Sequence, residues 1–84
     1  MHEVSLCESI IRIIEAQAQR DHFSRVEKVT LAVGTLSGAS AEALTFCFPM
    51  VAKNTIADGA TLQIKETNGP DLRVCELEVG GKAG

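Results

Sequence analysis

A histidine and a glutamate directly follow the first methionine, in the stretch MHEVSLCESIIRIIEAQAQ. An imidazole, a carboxylate and the amine of Met1 can together close short chelate rings on a metal ion, and the first backbone amides add further nitrogens. Nickel(II) and copper(II) favour such tetragonal, nitrogen-rich surroundings, and the residues alone do not choose between the two. Met1, His2 and Glu3 are therefore the candidate metal ligands. The competing reading is an ordinary solvated terminus, where polar residues carry no chemistry.

The other reactive side chains are less suggestive. Cys7, Cys47 and Cys75 are odd in number and far apart, which gives neither a disulfide framework nor a CxxC zinc site. In a reducing compartment such thiols stay free. Cys47, in the apolar run FCF, reads as a small hydrophobe, whereas Cys75 falls at an irregular point of a strand where it would be exposed and able to cross-link two chains. His22 follows the first helix, where an imidazolium complements the helix C-terminus, and no nucleophile is paired with it. Acid/base catalysis requires carboxylates that converge in a pocket. Here Asp21, Glu27, Glu42, Asp58, Glu66, Asp71, Glu76 and Glu78 scatter over helix ends, loops and strand edges. GTLSG lacks the GxSxG spacing, and no GxxxxGK[ST] loop is present. The reading is non-enzymatic.

Composition narrows the class further. Eighty-four residues with 45% hydrophobic content make one small domain that buries roughly 60 to 65% of its unfolded surface. A net charge of −3 without any basic cluster argues against nucleic acid, whose phosphates demand a basic footprint. Tryptophan and tyrosine are absent, so aromatic platforms for single strands or proline-rich peptides are missing. Charges at Glu3, Glu8, Arg12, Glu15 and Arg20 leave no signal peptide and no membrane span. The expected location is the cytoplasm.

These residues must be positioned by a few short elements. Ser5 with Glu8 forms a capping-box pattern, predicting a helix from about Leu6 to Arg20 or Asp21. Ile10, Ile11, Ile13, Ile14 and Ala18 form its apolar stripe. Val29, Leu31 and Val33 alternate with Lys28, Thr30 and Ala32, which predicts a strand with one buried face, ended by Gly34. Ser40 is a good N-cap for a second helix, AEALTFCF, with Glu42 in its first turn. Pro49 has no N–H for the Thr45 carbonyl, which predicts a kink there or an end near Phe48.

KNTIADGA reads as a loop, Thr61 to Glu66 as a second strand and Leu72 to Val79 as a third. In the third strand Leu72 and Val74 share one parity and Leu77 and Val79 the other, so a β-bulge near Cys75 or Glu76 is expected. Pro70 forbids the two-residue turn that Asn68-Gly69 would favour. That leaves a longer loop, or a hinge through which the last strand is exchanged with a second molecule. The fold class is a two-layer α/β sandwich, two helices on a three-stranded mixed sheet, spanning residues 1–79 with a flexible tail at 80–84.

MHEVSLCESI at the start, VGTLSGASAEALTFCF after the first strand and GPDLRVCELEV at the end resemble, in that order, the HypA/HybF nickel metallochaperone family of hydrogenase maturation. The resemblance covers about residues 1 to 79. It implies that Met-His-Glu binds nickel, with the His2 side chain and nearby backbone nitrogens as ligands and Glu3 contributing. It also implies, as partners, a maturation GTPase and the hydrogenase large subunit. Family members carry a zinc domain with two CxxC motifs between the last two strands. This chain has KETNGPDL there, so no zinc is expected. Ser40 stands where the family usually has an acidic residue, Pro49 where it has a non-proline residue and Cys75 where a lysine is expected. The short connection to the last strand makes a homodimer, strand-swapped or otherwise, a further expectation. The alternative function is a protein-interaction or assembly scaffold that uses an exposed strand edge and Cys75, with a vestigial metal terminus.

Overall fold

The computed structural model describes residues 2–80, with His2 described by its backbone alone. The element order is α1 (His2–Asp21), β1 (Arg25–Gly34), α2 (Ala41–Ala52), β2 (Thr61–Thr67) and β3 (Leu72–Gly80). β1 is the central strand of a β2-β1-β3 sheet, parallel to β2 and antiparallel to β3. α2 makes the crossover that a parallel β1–β2 pair requires. This is the expected two-layer α/β arrangement of two helices and a three-stranded mixed sheet.

α1 starts earlier than the capping box suggests. It begins at His2, so Ser5 lies exposed in its first turns and does not cap it. No glycine or proline interrupts residues 2–5, and a serine inside a helix costs only a few tenths of a kcal/mol, roughly 0.5 against alanine. The buried stripe is Cys7, Ile10, Ile11, Ile14 and Ala18, while Ile13 is 52% exposed and falls outside it. The helix closes at Asp21, where His22 adopts φ 60 and donates its N–H to the Ala18 carbonyl at 2.7 Å, a left-handed C-terminal cap.

Val29, Leu31 and Val33 of β1 meet the stripes of both helices in one core with Leu44, Phe48 and Ala52 of α2. The expectation of a single buried face fails for β1, because Thr30 and Ala32 are buried as well. As the central strand, β1 places Thr30 between Gln63 and Glu76, and Ala32 between Lys65 and Arg73. The stems of such long neighbours shield small side chains. The bulge is where parity places it: Thr30 pairs with Glu76 and Leu31 with Val74, leaving Cys75 as the extra residue. A second shift, with Val26 opposite Val79 and Lys28 opposite Glu78, makes Glu27 the extra residue on β1.

Pro49 does not end α2, which runs on to Ala52. Leu44, Phe48 and Ala52 repeat every four residues and are all buried, so packing carries the helix past the missing N–H. Residues 68–71 link β2 to β3, and to reach the far side of β1 they cross its end. Gly34 permits the crossing: a Cβ there would sit 2.1 Å from the Gly69 carbonyl oxygen and 2.9 Å from the Asp71 nitrogen. Three backbone bonds hold the crossing, from the Gly34, Thr35 and Leu36 N–H groups to the Asp71, Thr67 and Gly69 carbonyls at 2.6, 2.8 and 2.8 Å. β3 then runs antiparallel beside β1. Of the expected tail at 80–84, Gly80 instead closes β3, because its pairing opposite Arg25 extends the ladder, and residues 81–84 lie outside the described residues.

Candidate metal centre

The sequence candidates lie at the start of α1. Met1 and the His2 side chain fall outside the described residues. The His2 backbone opens the helix, so the His-Glu pair is part of the first turn and not a strand of free chain ahead of it. The first four N–H groups of any α-helix lack an intrahelical acceptor, and a carboxylate near them is favoured by the helix dipole.

Glu3 is half-buried, and its Oε2 accepts the backbone N–H of Ser40 at 3.3 Å, across 37 residues of chain. Ser40 is simultaneously the N-cap of α2, its Oγ accepting the Ala43 N–H at 3.1 Å. The loop before it is ordered in the same way, with Ser37 Oγ accepting the Ala39 N–H at 3.2 Å. The Glu3 carboxylate thus stands at the N-terminal ends of both helices, where two positive dipole ends favour its charge.

One turn below Glu3, Cys7 is fully buried and directs its thiol at the Leu44 carbonyl of α2 at 3.9 Å. Burial pushes the Cys7 thiol up to about 11, and the nearby charges of Cys47 and then Glu3 push in the same direction. Cys47 is half-buried against the core and Cys75 exposed. Among the described residues no three histidine, cysteine or acidic side chains converge as a metal site.

Sequence reading identified Glu3 and the capping role of Ser40 separately but missed the bond between them. Neither periodicity nor spacing signals a contact between a first-turn carboxylate and a backbone amide so far along the chain. The opposition of Cys7 to α2 was missed for the same reason.

The model of the family described as hydrogenase/urease nickel incorporation, metallochaperone, hypA matches residues 1–79. The chain belongs to the HypA family. The hydrogenase maturation factor HypA of a Bradyrhizobium species is 51% identical over 69 residues, covering 82% of this chain and 61% of the relative. HypA 2 of Bradyrhizobium diazoefficiens is 52% identical over the same shares. The chain thus spans about three-fifths of the length of these HypA relatives. A solution structure of HypA protein superposes with a TM-score of 0.75 at 18% identity, covering 94% of this chain and 96% of that one. The nickel metallochaperone HypA from Helicobacter pylori gives 0.72 at 14%, covering 94% and 93%. At such identities these two neighbours establish the HypA fold alone.

Proposed function

We propose that this chain is a nickel-binding metallochaperone module that holds nickel(II) through His2, with the Met1 amine, the Glu3 carboxylate and nearby backbone nitrogens. The nickel is cargo, exchanged with a maturation GTPase and delivered to the hydrogenase large subunit. The single observation that carries the reading is the bond between Glu3 and the Ser40 N–H. It ties one donor of the opening Met-His-Glu to the folded body, so less ordering remains to be done when a metal arrives. The donor set of imidazole, amine and carboxylate suits nickel(II) or copper(II) by geometry, and supply decides between them. The family match includes the opening residues. The KETNGPDL connection holds no CxxC motif, so the module takes nickel without zinc.

Calorimetric titration of nickel into tagless, chelator-stripped protein should show one site per chain, absent in His2→Ala. Stoichiometric binding retained by that variant rejects the assignment. The rival reading, an assembly scaffold, draws on the two edge strands β2 and β3 and the exposed Cys75. A scaffold assembles equally with or without nickel and with His2 replaced. A homodimer belongs to either reading, and light scattering that gives a monomer mass across micromolar concentrations rejects it.

A further inference from the structure

We propose that Cys7 and Cys47 form a redox-convertible thiol pair across the α1–α2 seam, closed to an intrachain disulfide by a peroxide. Cys7 Sγ lies 3.9 Å from the carbonyl oxygen of Leu44, so a side chain of α1 reaches the backbone of α2 itself. Within α2 that carbonyl is the acceptor for the N–H four residues on, Phe48, which places it beside Cys47. The charge of Cys47 in turn acts on Cys7, as required of neighbours. Both sulfurs belong to the same packed region, Cys7 in the core and Cys47 packed against it. The proposal is independent of the nickel reading.

Burial assigns the roles. Cys47 is the more accessible of the pair and Cys7 is fully buried, so the peroxide meets Cys47 first. Its thiolate attacks one peroxide oxygen, the O–O bond breaks, hydroxide leaves, and Cys47 becomes a sulfenic acid. Cys7 then gives its proton to that hydroxide, making the first water. Its sulfur attacks the Cys47 sulfur, the S–O bond breaks, and the departing hydroxide takes up the proton Cys47 shed on forming its thiolate, making the second. Two thiols and one peroxide yield one disulfide and two waters. The resolving thiol is held in place by the fold, which favours closure over further oxidation of Cys47. The new bond bolts α1 to α2 one turn from Glu3 and fixes their spacing there.

The test uses the full chain carrying Cys75→Ser, a change at an exposed position that removes cross-linking through that thiol and leaves the core untouched. Hydrogen peroxide is added, free thiols are alkylated, and the digest is mapped by mass spectrometry without reduction. The expected result is one linked peptide pair joining Cys7 to Cys47 with the loss of two hydrogens. Adding Cys7→Ala should leave Cys47 as a sulfenic acid captured by a cyclic dione. Cys47 carried on to sulfinic acid while Cys7 remains alkylatable overturns the proposal. So does a chain-to-chain Cys47 link, or a protein in which neither thiol has reacted.

Discussion

Two places in this molecule join segments that are distant in sequence, and they are built differently. At the end of β1, three consecutive backbone N–H groups bond to the last residue of β2 and its connection to β3 at 2.6 to 2.8 Å. At the start of α1, one side-chain carboxylate meets one backbone N–H at 3.3 Å. The first joint is made entirely of backbone and asks of the sequence only that Gly34 carry no side chain. The second depends on the identity of a single residue. Both converge on the loop between β1 and α2, which is held by backbone from the sheet side and by the Glu3 side chain from the side of the candidate metal centre. Under the proposed function Glu3 would be a ligand tied to the body through a side chain, and the backbone joint keeps adjustment there from spreading into the core.

The sharpest way to break the comparison is Gly34→Ala. The new Cβ meets backbone atoms of Gly69 and Asp71 that cannot step aside without losing the bonds from Leu36 and Gly34, so a loss of about 3 kcal/mol or more is expected. Gly80→Ala is the matched control. The three atoms nearest its Cβ all belong to the Glu27 side chain, which is flexible, and the loss should stay below about 0.5 kcal/mol. Urea unfolding midpoints of the two variants decide the point. Equal losses would mean that the crossing over β1 is not the close-packed joint described.

The next largest effect should be a gain. Pro49 sits inside α2 and is exposed, so Pro49→Ala restores a bond to the Thr45 carbonyl without disturbing the core. A stabilisation of about 2 kcal/mol is expected, again read from the unfolding midpoint. No gain would mean that the helix has already adapted to the missing N–H. Thr45 Oγ1 donates to the Ala41 carbonyl at 2.9 Å, one turn earlier, and does not replace the bond Pro49 cannot make.

Alkaline titration sharpens the comparison from the core side. The folded Cys7 thiol titrates at about 11 against an ordinary 9.0, first because of burial. The folded state therefore holds this proton more tightly than the unfolded chain. Stability from this source is complete below pH 9 and is lost as pH rises towards 11. Cys7→Ala should flatten that part of the stability profile, measured by urea unfolding across the same range, whatever it does to stability at neutral pH. A wild-type profile that stays level to pH 11 would place Cys7 in contact with water.

What was legible beforehand follows the range of the interactions involved. The elements, the Ser40 cap and the bulge at Cys75 are written in local periodicity, because parity and capping act within a few residues. The start of α1 was misplaced because Ser5 and Glu8 imitate a cap, while the true first turn is tied to Ser40, 37 residues away. Pro49 left a kink or an end near Phe48 equally open because proline chemistry is local, whereas the burial of Phe48 and Ala52 that carries the helix on is not. Burial of both faces of β1 depends on its central place in the sheet, and strand order has no signature in a lone sequence. Of the site, Glu3 was identified by type and neighbours, and its partner was invisible because any residue carries a backbone N–H.

That last fact yields the smallest and most discriminating prediction. Glu3→Gln keeps the shape but weakens a charge-assisted bond, so about 0.5 to 1 kcal/mol should be lost. Ser40→Ala removes the cap to Ala43 for about 1 kcal/mol while keeping the N–H that Glu3 uses. If Glu3 engages only the amide, the two losses should add in the double variant to within about 0.5 kcal/mol. A larger coupling would mean that the Ser40 hydroxyl also serves the carboxylate, making the α2 cap and the first turn of α1 a single unit. Nickel titration of the same variants separates the two cases again. Ser40→Ala should leave the affinity unchanged if the amide alone orients Glu3, and should lower it together with Glu3→Gln if the hydroxyl takes part.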